Sequence, residues 1–398
     1  MVKIKDALRN WDYLLVLCVL LLGVTGVLMI YSYGNAPATP LGVANQFGDI
    51  WTRQLVYIIS GTVLMFFLAM VDYRHITKFY IYIYGFMMAF LLVVMFIGAD
   101  EGTNVARWLW IPVPGFGRIS MQPSEFSKLF MILFLSKFLD VNKDRFNKVW
   151  CLAIVLVLIA VPVYLVTRQP SLSASLVILS LSLVMLFVAG LYFRTILIGL
   201  GFITPIAVII WLDIMRAEPI FITRVLGNFQ WVRIETWRNS VFGIDQVLGT
   251  DAFMQTQQSL YSITAGGVTG RGFLNNSHVI HGHNDFIFSI FSEQFGFIGA
   301  AVLLGVTALL IVRCILIALR APDLQGRLIA SGVAGMLIFE TFVHVSVTTN
   351  FLPNTGMPYP FLSFGGSMIW VHMMAMGVVL NVGIPRTKGM FEDEDDDV

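Results

Sequence analysis

Apolar residues run along the chain in stretches of roughly 20, separated by short polar or Pro/Gly-rich segments. A helix uses about 20 such residues to cross the hydrocarbon core of a bilayer. Ten stretches reach that length, at about 13–32, 53–71, 78–98, 123–140, 149–167, 172–190, 193–213, 285–312, 327–349 and 367–385. The pattern predicts an all-α, polytopic membrane protein with about ten transmembrane helices. The break at Gly190 is short, so the division between the sixth and seventh stretches is the least defined. No small-residue cleavage site follows the first stretch, which is expected to stay as a signal-anchor.

The basic residues orient this pattern. With the N-terminus in the cytoplasm, that side receives Lys3, Lys5, Arg9, Arg74, Lys78, Lys137, Lys143, Arg145 and Lys148, with Arg194, Arg313, Arg320, Arg327, Arg386 and Lys388 further on. The other side receives only Arg, more than half of it in one long segment. Short loops decide orientation, so both termini are expected to be cytoplasmic. Residues 213–284 then form a large extracytoplasmic loop between helices 7 and 8. The expected organisation is a single transmembrane domain, 1–391, followed by an acidic, solvated tail, 392–398.

Composition narrows the function classes. The 398 residues are 57% hydrophobic and 12% charged, against roughly 25% charged in soluble domains. The formal charge of +1 gives no basic field for nucleic acid. Cys18, Cys151 and Cys314 lie far apart in apolar surroundings and read as small fillers. No Walker motif occurs, which argues against an ATP-driven pump. Two segments outside the spans stand out. Residues 99–122 mix Trp, Arg and Pro and suit the membrane interface, while residues 350–366, dense in Pro and Gly, suit backbone that lines a cavity.

Ionisable residues inside spans are costly and face a partner or a cavity. Glu125 and Lys128, in Gln122-Pro-Ser-Glu-Phe-Ser-Lys, share a helix face. They are either a self-neutralising pair or a cation presented to anionic groups near the outer surface. Asp285 stands where the long loop meets an apolar helix. It is either a helix cap or a partly desolvated carboxylate able to act as a general base. Ser289 and Ser292 extend it into a polar stripe. His278, His281 and His283 lie alongside, but loop histidines make a weak metal site and no metal is assigned. Gly267 to Gly272 looks like a phosphate loop without its lysine ending or its strand.

Several motifs occur in one order: ARW at 106–108, QPSEFSKL at 122–129, QQS at 257–259, AGGVTGRGF at 265–273, HNDFIFSIFSEQFGFIG at 283–299 and LPNTGMPYPFLSFGGS at 352–367. Together they resemble the SEDS family (shape, elongation, division and sporulation), and the resemblance covers about Trp11 to Asn381. It implies a ten-helix fold in the bacterial cytoplasmic membrane. It also implies an inverting peptidoglycan glycosyltransferase that polymerises lipid II at the outer face, with a class B penicillin-binding protein as partner. The catalytic Asp of the family falls on Asp285. Glu125 and Lys128 match its charged fourth-helix motif, Arg107 its Arg-Trp pair, and Arg53 its Arg-Gln at the second helix. Arg233, Arg271 and His283 complete the candidate substrate contacts. A divalent cation, Mg or Mn, is compatible with a pyrophosphate substrate. The chain departs from the family at Ser171, where an Asp is usual, and at Glu340 and His344, where Gln and Asn are expected. The short tail leans toward the elongation branch. The competing readings are a lipid II flippase and a non-catalytic scaffold for the transpeptidase.

Overall fold

The computed structural model describes residues 11–35, 50–98, 108–113, 117–169, 171–216, 219–220, 222–225, 228–242, 251–276, 279 and 282–384. Ten helices correspond to the ten expected spans: α1 (Tyr13–Asn35), α2 (Ile50–Met70), α4 (Tyr80–Ile97), α5 (Pro123–Val141), α6 (Val149–Arg168), α7 (Leu172–Val188), α8 (Phe193–Ile214), α12 (Ile287–Arg320), α13 (Leu324–Thr348) and α14 (Gly366–Val382). A short helix, α3 (Tyr73–Lys78), precedes α4. All backbone polar groups of a helix are satisfied within it, which is why such segments cross hydrocarbon. The expected acidic tail and Arg107 lie outside the described residues.

Helix α13 forms the centre of the bundle, packing on α5, α7, α12 and α14, and α14 in turn lies along α2. In contrast, none of the apolar span of α8 is buried. Among the described residues, Asn147 holds the Gly190 carbonyl and the Tyr192 N–H at its start at 3.1 Å, and the end near residue 214 meets the segment that follows. There Asp213 accepts the Ile220 and Ile222 N–H groups at 3.0 and 2.9 Å, and Trp211 packs on Trp237 and Phe242.

The long segment after α8 is folded rather than structureless. It holds α9 (Ile222–Val225), α10 (Asn228–Phe242) and α11 (Asp251–Gly266). The face carrying it is termed the loop face. The segment before α5, expected to lie on the interface, contains a hairpin: β1 (Leu109–Val113) pairs antiparallel with β2 (Gly117–Met121), Ile111 opposite Ile119.

One expected span is placed differently. Helix α12 has 34 residues and would measure about 51 Å if straight, against roughly 30 Å of hydrocarbon. It breaks at Gly296, with φ 64° and ψ −166°, a conformation open essentially to Gly. Residues 287–295 are packed inside the protein, and residues 297–320 make the span. The break is held by a backbone seam. Phe297 and Ile298 N–H groups donate to Gly267 and Val268 carbonyls at 2.9 and 3.1 Å, while Arg271 and Gly272 donate to Glu293 and Gln294 at 2.9 and 3.0 Å. A Cβ on Gly296 would stand 2.4 Å from the Gly270 nitrogen. The Arg271 and Gly272 amides of the apparent phosphate loop are thus committed to α12, and those of Gly267 and Gly270 to the Thr264 and Gly266 carbonyls.

On the opposite face, Asp323 starts α13 and ties it to α3. It accepts from the Gly326 N–H at 2.7 Å, from the Tyr73 hydroxyl at 2.8 Å and from Arg74 at 2.7 Å. Burial alone would raise its carboxyl, but these donors outweigh burial and hold it below the ordinary carboxylate range. A depressed native value contributes stability above the unfolded value, and that contribution is lost as pH falls through the native one. Asp323→Asn is expected to cost about 1 kcal/mol, read as a lower Tm in detergent near pH 7, with the deficit shrinking as pH falls below 4.

Candidate active site

Helices end at the loop face around a cavity of about 290 Å³. Helix α5 contributes Gln122, Glu125 and Lys128, with Pro123 in its first turn, where a missing N–H costs nothing. Ser171 and Ser173 come from the start of α7, Arg233 from α10, and Asn284 with Asp285 from the turn before α12. Residues 353–358, Phe364 and the first turn of α14 close the far wall, and Trp108 stands at the rim.

Two loops make the chemistry possible, and they are bonded into one unit. The Ser363 hydroxyl donates to the Asn284 carbonyl at 2.6 Å and accepts the Tyr359 N–H at 2.8 Å. The Phe364 N–H donates to the His283 carbonyl at 2.9 Å. His344 joins them from below: its Nδ1 bonds the Met357 carbonyl at 2.7 Å and its Nε2 accepts the Phe288 N–H at 3.4 Å. Gln255 of α11 and Ser173 hold Asn354 and the Thr355 carbonyl at 3.2 and 3.0 Å. Regular structure does not satisfy the polar backbone of residues 353–358, so these side chains do.

Asp285 and Arg233 converge on Gly356. A Cβ at 356 would sit 3.2 Å from Arg233 Nη1 and 3.3 Å from Asp285 Oδ2, and Gly356 has φ +68°. Arg233 also donates to the Asn354 carbonyl at 3.3 Å. Burial pulls its guanidinium below the usual arginine range, and the Asp285 carboxylate opposes that pull. The cavity therefore brings a carboxylate and a cation together at the membrane boundary.

Lys128 lines the cavity but is almost wholly buried. Its ammonium donates to Glu125 at 2.8 Å and to Glu340 of α13 at 2.7 Å. Both earlier readings of the pair are thus incomplete, because a third, distant charge completes it. Glu340 in turn bonds His372 of α14, a residue that sequence reasoning missed; only the unexpected Glu at 340 signalled it.

Other expected contacts fall outside the cavity wall. The Arg53 side chain is exposed near the start of α2. Arg271 pairs with buried Glu293 at 2.9 Å, serving the seam at Gly296. His283 is buried against Tyr33 and Phe364, with ring centroids 5.1 and 6.0 Å away. Ser289 and Ser292 do not continue Asp285 as a stripe: Ser289 meets Ser259 of α11 at 2.5 Å, and Ser292 bonds the Phe288 carbonyl. The turn ahead of the helix lets Asp285 face a different way. Among the described residues, no three His, Cys, Asp or Glu side chains cluster as a metal cage.

These features describe a polytopic membrane protein built around a polar cavity at one bilayer surface. Residues 12–388 match the cell cycle protein family of FtsW, RodA and SpoVE. The chain belongs to that family. Stage V sporulation protein E of Bacillus subtilis is 34% identical over 389 residues, covering 93% of this chain and 96% of that one. A probable peptidoglycan glycosyltransferase FtsW of Trichlorobacter lovleyi is 30% identical over 384 residues, covering 94% and 93%. A solved chain, described under the structural coordination of polymerization and crosslinking by a peptidoglycan synthase complex, aligns with TM-score 0.72 at 28% identity. It covers 94% of this chain and 97% of its own.

Gly356→Ala places a methyl between Arg233 and Asp285 in a left-handed backbone. It is expected to cost roughly 1–2 kcal/mol of stability, measured by thermal unfolding, and to lower glycan synthesis further than the fall in folded protein explains.

Proposed function

We propose that this cavity polymerises lipid II into β-1,4-linked glycan at the outer face of the bacterial cytoplasmic membrane, with Asp285 as general base. The activity is that of a peptidoglycan glycosyltransferase, the activity named for the FtsW relative above. The observation that carries the assignment is the convergence of Asp285 and Arg233 on a cavity at the membrane surface. A lipid-anchored sugar stays at that surface, since its tail remains in hydrocarbon. The loop face is then the outer face, and the termini are cytoplasmic.

In the reaction, Asp285 accepts the proton of the acceptor 4-hydroxyl as its oxygen attacks C1 of the donor sugar. The bond from C1 to the pyrophosphate oxygen breaks from the opposite side, inverting the centre. The pyrophosphate leaves with the electron pair, so no nucleotide is consumed. Arg233 is the cation placed to meet the developing charge, because the Lys128 charge is already shared by two carboxylates. Arg107 adjoins Trp108 at the rim in sequence and is a second candidate. Asn284 Oδ1 and Thr355 Oγ1 are buried without partners among the described residues. Asp285 and Glu125 do not by themselves form a cage for a divalent cation, and the mechanism assigns them none.

The likeness to a synthase complex supports a transpeptidase partner, a class B penicillin-binding protein. The flippase reading calls for charge along a path through the membrane. The buried ionisable groups at this site instead gather in the loop-face halves of α5, α13 and α14.

Asp285→Asn, purified with its partner, is expected to lose roughly 10²–10⁴-fold of glycan polymerisation from lipid II while remaining folded, with a Tm lowered only as far as the loss of the charge opposite Arg233 requires. Wild-type chain lengths from the folded variant remove Asp285 as the base.

A further inference from the structure

Beneath the cavity, four ionisable side chains form a continuous chain: Glu125, Lys128, Glu340 and His372. All four are buried. Glu340 uses one carboxylate oxygen for Lys128 at 2.7 Å and the other for His372 Nε2 at 2.5 Å. His372 Nδ1 lies 2.7 Å from the Met368 carbonyl.

The protons follow from the acceptors. A carbonyl oxygen only accepts, so Nδ1 of His372 carries a hydrogen. Nε2 then faces a carboxylate oxygen at a distance two bare lone pairs do not tolerate. A second proton lies between them, on the ring or on the carboxyl. With it, the four-residue network is neutral. Without it, the network carries one uncompensated negative charge in hydrocarbon, directly under the cavity floor.

We infer that Glu340 and His372 are positioning residues: the proton they share fixes the net charge presented to the cavity through Lys128 and Glu125. With the proton in place, Lys128 divides its ammonium between Glu125 and a carboxylate already neutralised by His372. With the proton gone, the floor turns negative, where a pyrophosphate must approach.

The surroundings leave this pair in charge. Helix α5 presents Lys128 and Glu125, and α13 presents Glu340 with His344 one turn on. His344 is engaged with Met357 and Phe288. Along its other side α14 meets α2, whose Tyr57 packs on Trp370 and Phe364, and whose Arg53 is exposed. Helix α12 meets α14 through Ile317 beside Gly383, and Tyr73 of α3 meets it at Asn381, both toward the opposite face. Phe361 lies edge-on to the His372 ring at 5.4 Å.

The substrate part of this inference rests on the glycosyltransferase reading; the proton itself does not. Glu340→Gln is the discriminating variant. Its amide oxygen accepts from Lys128 and its amide nitrogen donates to a neutral His372, so both hydrogen bonds remain without the shared proton.

Thermal unfolding in detergent between pH 6 and 9 reads the proton without any substrate. A proton bound in the native state and absent from the unfolded chain makes stability fall as pH rises. The wild-type Tm is expected to fall more steeply per pH unit than that of Glu340→Gln. In the polymerisation assay, the alkaline limb of the wild type flattens in Glu340→Gln. His372→Leu raises KM for lipid II on the order of tenfold, more than it lowers kcat, and adding Glu340→Gln restores most of that loss. Identical Tm slopes for wild type and Glu340→Gln overturn the inference, and so does a His372→Leu defect that Glu340→Gln fails to rescue. Should His372→Leu not fold, the two slopes still decide. A wild type that polymerises no lipid II sinks the functional reading and leaves the slope comparison standing.

Discussion

A polar cavity inside hydrocarbon survives only if the protein partners every charge in its wall from within. That constraint organises this molecule. Lys128 is held by carboxylates from two helices, and Arg233 by a carbonyl and by the field of Asp285. The central position of α13 follows from the same demand. It supplies Glu340 to the charge chain and His344 to the loops, and nearly three quarters of its apolar window is buried.

The second organising element is the fusion of two irregular segments. Residues 282–286 and 353–364 hydrogen-bond each other through Ser363, Phe364 and His344. Neither would hold a fixed shape alone at a lipid boundary. Fused, they present Asp285, Asn284 and Thr355 to the same space and hold Gly356 in a left-handed backbone close against Arg233 and Asp285. Precision in such a site comes from the supporting contacts as much as from the groups that face the cavity.

Much of this was legible in the residues, and the failures have physical causes. Ten apolar runs marked ten helices because a bilayer demands that length. The same criterion hid the break at Gly296, since a glycine in an apolar run barely changes hydropathy. The β1–β2 hairpin escaped notice because five-residue strands beside Pro and Gly look like interfacial coil. At the site, Asp285, Glu125, Lys128 and Arg233 do line the cavity. Arg53, Arg271 and His283 do not, because sequence marks a charge or a ring without marking its partner. Glu293, 22 residues away, takes Arg271, and Tyr33 and Phe364 enclose His283. His372 sits in an apolar helix that offers no pattern to flag it.

Helix α8 has a mechanical consequence. None of its apolar span is buried in the protein, and its end joins the body through Asp213, Trp211 and the carbonyls of Ile214 and Arg216, which accept from Arg238 of α10. Arg233 rides on that same short helix, less than two turns away. A thicker or thinner bilayer that tilts α8 therefore works a lever whose short arm ends at the guanidinium beside Asp285. Bilayer thickness thus bears on the cavity wall through a solid linkage, without any ligand of its own.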